Sequence, residues 1–230
     1  MIKTLLLVIL NPKILLSALT ILISIGTYGL AYGWPFAAGF VGLIFCHEMG
    51  HYLAAKQKNL NVGLPMFIPF VGAFITLKEQ PHNAETEAYV AYAGPFIGTL
   101  ASFALYYWGS ANDSGLANVL AQSGFVLNLF NLIPLSPLDG GRITAVLSPR
   151  IWLLGLPILI GVWFYHPSPM LILIAVLSLP QVIKAWHFNP KALENQEYYN
   201  VKDTTRFEYG ALYLILIVVL AVMVEAMSGK

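Results

Sequence analysis

Charge is scarce in this chain. Of its 230 residues, 10% are Asp, Glu, Lys or Arg, against about 25% in an ordinary soluble domain. The two signs nearly cancel, with 12 basic and 11 acidic residues. That balance gives nucleic acid no reason to bind. There is a single cysteine, Cys46, so no disulfide can form within the chain. Apolar residues make up 58% of the chain, and the mean hydropathy is +0.72. So much apolar and aromatic mass excludes disorder, and so little polar surface excludes a soluble domain of this length.

What is present is a series of long apolar runs. They exclude an outer-membrane barrel, whose segments alternate over about 10 residues. The runs fall at residues 14–31, 34–55, 88–108, 116–133, 151–165, 170–186 and 209–224. Most approach the roughly 17–25 residues that cross a hydrocarbon core. The fifth run is short and carries Pro157. The expectation is an all-α polytopic membrane protein of about six to seven transmembrane helices. Residues 1–12 read as a short entry segment at the membrane surface, since no small-residue cleavage site follows the first apolar run. The longest polar stretch, residues 187–206, has room for a linker or one short helix.

The basic residues alternate with the runs. If the N-terminus lies on one side, that side receives eleven of the twelve, and only Lys230 falls on the other. The positive-inside rule then makes that side cytoplasmic.

Residues 62–77 break the pattern. The stretch is apolar but interrupted by Gly63, Pro65, Pro69 and Gly72, while Phe67, Ile68, Phe70, Val71, Phe74 and Ile75 favour strands. A small membrane-associated β-hairpin, or a re-entrant loop, is expected there on the cytoplasmic side, packed among helices. Non-helical backbone is tolerated at membrane depth only against protein or a wet cavity.

The second run contains His47-Glu48-Met49-Gly50-His51, an H-E-x-x-H pattern. On a helix, histidines four apart share a face and can bind one metal, with the intervening glutamate available as a base. The pattern also arises by chance in soluble sequences. Inside an apolar span, however, ionisable groups are costly and mark function. A catalytic zinc takes three protein ligands and keeps one position open. Asp139 is the candidate third ligand. It follows Pro134 and Pro137, which end regular helix, and precedes Gly140 and Gly141, which permit turns and close backbone approach. A solvated loop aspartate is the alternative.

Together, His47–His51 and the Asn131…Pro134…Leu138-Asp139-Gly140 segment resemble the site-2 protease family of intramembrane zinc metalloproteases, peptidase family M50. The similarity covers about residues 34–150 and includes the hairpin and Ala93-Gly94-Pro95. The resemblance implies one zinc ion held by His47, His51 and Asp139, with Glu48 as general base. It also implies that Asn131 meets substrate or the developing oxyanion. No loop here has room for the PDZ or CBS domains that many members carry. The implied organisation is residues 1–33 with the first span, a three-span catalytic core at 34–150 with the hairpin at 62–77, and C-terminal spans and linker at 151–230.

The expected activity is hydrolysis of peptide bonds within or near transmembrane segments of other membrane proteins. An edge strand of the hairpin, near Gly72, would hold the unwound substrate. The partners are then a transmembrane protein and the bilayer; nothing in the sequence fixes an oligomeric state. The compact core points to a bacterial or archaeal plasma membrane. A zinc-binding transporter or a catalytically inactive scaffold is the rival reading. A transporter would distribute polar groups along a path, whereas here they gather at one place.

Overall fold

The computed structural model describes residues 11–228. The expected entry segment therefore lies almost wholly outside the described residues, as do Lys3 and Lys230. The architecture is helical with one small hairpin. Helix α1 spans Pro12–Tyr32 and α2 spans Trp34–Gln57. Strands β1, Met66–Ile68, and β2, Gly72–Phe74, follow. Then come α3 at Ala84–Ala111, α4 at Gly115–Asn131 and the short α5 at Asp139–Thr144. A 3-10 turn at Pro149–Leu154 leads into α6 at Gly155–Tyr165. Helix α7 is Pro169–Trp186, α8 is Leu193–Tyr198 and α9 is Asp203–Ser228.

Every apolar run of the sequence contains a helix. Among the described residues, four helices are long and apolar enough to cross a membrane: α1, α3, α7 and α9. Helix α2 has the length, at 24 residues, but His47, Glu48 and His51 dilute its apolar character. Helix α4 has 17 residues. The fifth run differs from expectation in its first turn, which is 3-10 rather than α-helical. Pro157 explains this: it has no N–H to give residue 153, and its ring crowds that carbonyl. The Ser148 hydroxyl starts the turn by accepting the Arg150 N–H at 3.3 Å. Helix α3 begins earlier than its apolar run because the Asn83 side chain accepts the Thr86 N–H at 2.8 Å. Glu85 and Glu87 thus fall in its first turn, where negative charge suits the helix dipole.

The chain divides into two compact units. The first takes the described residues up to Gln80 together with Ile97–Gly124. It holds α1, α2 and the hairpin. The strands pair antiparallel, with Met66 opposite Phe74, Phe67 opposite Ala73 and Ile68 opposite Gly72. A bridge between Val62 and Leu77 extends the ladder, so the hairpin occupies the stretch that the sequence marked. Helix α1 fastens it from the side. Ser17 Oγ donates to the Pro65 carbonyl at 2.6 Å, and the Phe67 N–H donates to Thr20 Oγ1 at 3.3 Å. At the tip, the Phe70 N–H donates to the Tyr28 hydroxyl at 3.1 Å, and the two rings meet edge to face.

The second unit takes Pro81–Phe96 and the described residues from Phe125 onward. Its core joins Ile133, Leu135 and Leu138 to Leu159, Leu171 and Ile174. The polar stretch at 187–206 carries one short helix, α8, as its length allowed. It is tied down at Tyr198, whose hydroxyl donates to Glu87 Oε2 at 2.6 Å. Glu87 also meets Arg142 Nε at 3.4 Å.

Candidate metal centre

Helix α2 buries a continuous face: Ala37, Val41, Ile44, His47, Glu48, His51, Ala54 and Ala55. The steps of three and four residues keep these positions on one side of the helix. His47, Glu48 and His51 are each at most 5% exposed. The two imidazoles turn their Nε2 atoms toward each other at 3.1 Å, with ring planes 81° apart. Two nitrogens bound at about 2.05 Å to one tetrahedral zinc stand roughly 3.3 Å apart. The spacing therefore fits two ligands of a single ion.

Asp139 completes the group. One ligand atom from each of His47, His51 and Asp139 lies within 4.8 Å of the others, and all three residues are buried. A buried carboxylate beside two imidazoles is the donor set of a three-ligand catalytic site. Glu48 is a fourth buried polar group, adjacent to His47 in the chain and outside that trio.

The segment that presents Asp139 is irregular and buried. Leu132, Ile133, Leu135 and Leu138 are all in the core, so its backbone must find partners within the protein. It does so locally and at long range. Leu135 N–H donates to the Ile133 carbonyl at 2.7 Å, and Leu138 N–H to that of Leu135 at 2.9 Å. Gln181 Oε1, from α7, accepts the Ser136 N–H. The Tyr213 hydroxyl, from α9, donates to the Leu132 carbonyl. Trp152 Nε1, from the 3-10 turn, donates to the Gly141 carbonyl at 2.7 Å. Thr144 Oγ1 donates to the Gly140 carbonyl at 2.7 Å. Asp139 then opens α5, where its charge meets the positive end of the helix.

The glycines after Asp139 are dictated by this packing. A Cβ on Gly140 would lie 2.2 Å from the Leu132 carbonyl oxygen and 2.4 Å from that of Ile133. On Gly141 it would lie 2.7 Å from backbone atoms of Leu135 and Ser136.

The other expected site residues are Asn131 and Gly72. Asn131 ends α4, and its amide Nδ2 donates to the Leu127 carbonyl of the same helix at 3.0 Å. Gly72 opens β2 with φ of +132°, a conformation that disfavours any side chain, although nothing lies within 4 Å of its would-be Cβ. Gln181, Trp152 and Tyr213 were not singled out from the sequence. A lone amide in an apolar run was the available signal for Gln181.

The linker beside α5 has its own electrostatics. Burial, and then the Glu87 carboxylate, push the Tyr198 phenol well above its ordinary value. The same two causes push Tyr199 up to about 12. Both phenols stay protonated, which keeps Tyr198 a donor to Glu87. Arg206 spends its guanidinium on carbonyls: Nη1 donates to Val146 and Leu147, Nη2 to Tyr199 at 2.8 Å and Nε to Val201 at 3.2 Å.

Comparison with known proteins bears on this geometry. The model of peptidase family M50 matches residues 35–114, which include the whole H-E-x-x-H pattern; Asp139 lies beyond the matched stretch. A probable chloroplastic zinc metalloprotease of Arabidopsis thaliana is 27% identical over 155 residues, covering 47% of this chain and 28% of the relative. A zinc metalloprotease of Methanocaldococcus jannaschii is 29% identical over 117 residues, covering 48% of this chain and 33% of the relative. The chain thus matches about a third or less of the length of these curated relatives. A solved structure described as a site-2 protease from Methanocaldococcus jannaschii aligns with a TM-score of 0.44 at 23% identity, over 72% of this chain and 84% of that one. Over the stretch that holds the histidine pair, the chain is thus similar to the model of peptidase family M50, and over about half its length to named zinc metalloproteases.

Proposed function

We propose that this chain is a zinc-dependent intramembrane endopeptidase that cleaves transmembrane segments of other membrane proteins. The observation that carries the reading is the buried trio His47, His51 and Asp139 with Glu48 beside it, in a chain otherwise poor in charge. The relatives' names specify zinc, and two imidazoles and a carboxylate suit it.

When bound, zinc supplies Lewis-acid activation of water and of the scissile carbonyl. The chain's own residues do the rest. Glu48 takes the proton from the attacking water and returns it to the amine as the C–N bond breaks. Asn131 is assigned to the substrate, through the amide that now rests on Leu127. The hairpin holds the unwound strand. Phe67 turns its N–H to Thr20 on α1, so the antiparallel alternation turns the N–H and carbonyl of the opposing Ala73 outward. That outer edge of β2 is where an extended peptide would add.

The bias of eleven basic residues to one side supports a cytoplasmic N-terminus, with the site nearer that face, in a bacterial or archaeal plasma membrane.

The test uses the purified full chain and a Glu48→Gln variant. Zinc content is measured alongside cleavage of a transmembrane peptide. Zinc in both, with cleavage lowered by about 10²–10⁴-fold in the variant, is the expected result. Equal cleavage removes Glu48 as the base. Metal flux without cleavage by the unaltered chain supports a transporter instead.

A further inference from the structure

Two cavities of the second unit meet at Leu147, which lines both. The larger holds about 650 Å³ and is walled by residues such as Phe130, Ile133, Ile158, Val162, Leu214 and Ile217. Along α9 it reaches from Gly210 to Val224, about 21 Å at 1.5 Å per residue. The two hydroxyls in its lining are already committed, Thr144 to the Gly140 carbonyl and Tyr213 to that of Leu132. Water would find no partners there. An extended peptide would leave its N–H and carbonyl groups unmet. A helix about 10 Å across and that long displaces about 1,600 Å³, more than the cleft offers even with its open side counted, about 1390 Å³. A hydrocarbon chain meets none of these objections.

The smaller cavity holds about 500 Å³ and is about half polar, lined by Ser148, Arg150, Asn195, Gln196, Asn200 and Arg206 among others, with no carboxylate among its described lining residues. Arg206 is bonded only to neutral carbonyls, so its charge is not cancelled by them. Arg150 is exposed, and its guanidinium has no partner among the described residues. Such a lining suits an anion. The same end of the unit exposes large apolar side chains, Trp186 at 75%, Phe207 at 79% and Leu193 at 84%. Such groups belong at a membrane interface rather than in water.

We propose that the two neighbouring cavities together bind one anionic phospholipid, with its phosphate at Arg150 and Arg206 and an acyl chain in the apolar cleft. Basic pockets beside transmembrane helices take such head groups, and Leu147 is the shoulder between the two chemistries. The acyl chain would touch Leu132, Ile133 and Pro134, the segment leading to Asp139. The inference rests on the chain spanning a membrane, not on its protease chemistry.

The experiment is native mass spectrometry of the purified full chain in non-ionic detergent, titrated with phosphatidylglycerol or with phosphatidylcholine of the same acyl chains. The expected result is a one-to-one adduct that forms at lower concentration with phosphatidylglycerol. Arg150→Ala should weaken that adduct about fivefold, the loss of one basic contact. Ile217→Trp, which fills the cleft, should weaken the adducts of both lipids. Leu177→Trp, on α7 and outside both cavities, should change neither. If Ile217→Trp does not fold, Arg150→Ala, at an exposed position, decides the matter. Equal binding of the two lipids, or an unaltered adduct in Arg150→Ala, overturns the proposal. Displacement by inorganic phosphate overturns it in favour of a soluble anion, and displacement by a transmembrane peptide in favour of a protein segment. Cleavage is not a readout, so failure here is separable from failure of the protease reading.

Discussion

Adding one methyl group at Gly140 should disarm the metal centre without touching a ligand. The new carbon would fall 2.2 Å from the Leu132 carbonyl oxygen, whereas real contacts of this kind stay beyond 3.0 Å. The turn must therefore open by at least about 0.8 Å, and both atoms in the clash are backbone or rigidly attached to it. Leu132 O is also the acceptor for Tyr213, so the opening strains a second contact that holds the segment. Overpacking of this kind costs about 1–3 kcal/mol, and a displacement near 1 Å at a reacting geometry costs about 10²-fold in rate. The expected outcome for Gly140→Ala is a lower Tm, zinc lost at chelator concentrations that the unaltered chain withstands, and cleavage lowered by about two orders of magnitude. The control is Gly161→Ala on α6, where nothing lies within 4 Å of the added carbon. That variant should match or slightly exceed the parent in stability. Parental zinc retention and Tm in Gly140→Ala would refute the claim that this close approach sets Asp139.

Three further outcomes follow from the geometry. Gln181→Leu removes the acceptor for the Ser136 N–H, so thermal unfolding should show a loss of about 1–3 kcal/mol together with weaker zinc retention. An effect on neither would mean that Gln181 does not support the Asp139 segment. Gly72→Ala forces a side chain onto a φ of +132°, at a strain of about 1–3 kcal/mol. It should reduce peptide cleavage while zinc content stays at one per chain, and undiminished cleavage would sink strand addition at β2. The phenols of Tyr198 and Tyr199 are raised in the fold, the latter to about 12. The unfolded chain therefore loses their protons first, near pH 10. Their contribution to stability is complete below about pH 10 and is lost as pH rises through the folded values. A Tyr198→Phe, Tyr199→Phe double variant should lose that alkaline decline, which denaturation monitored across the range would reveal.

How much of this was legible in the sequence depends on chain distance. The histidine pair and Glu48 sit within one turn of a helix, so spacing alone set them on one face. The hairpin declared itself through its prolines, glycines and β-branched or aromatic residues, and its strands lie inside the stretch they marked. Asp139 was readable because prolines and glycines flank it and because the segment resembles a known family. The props of that segment were not readable. Gln181 is 45 residues from Ser136, and Tyr213 is 81 from Leu132. No local pattern relates such positions; only the packing of α7 and α9 brings them to the turn. The 3-10 start before α6 was hidden for a different reason. Hydropathy reports how apolar a run is, but not how its backbone closes around Pro157.

The Tyr213 contact has a consequence for biosynthesis. The histidine pair and Asp139 leave the ribosome earlier than the hydroxyl that holds the Leu132 carbonyl, which is on α9, Asp203–Ser228. Arg206, which caps Val146 and Leu147 just beyond α5, arrives with the same helix. The contacts from Thr144, Trp152 and Gln181 can therefore form first, and those from Tyr213 and Arg206 come after them. The order of synthesis thus completes the bracing of this turn only when α9 has been made.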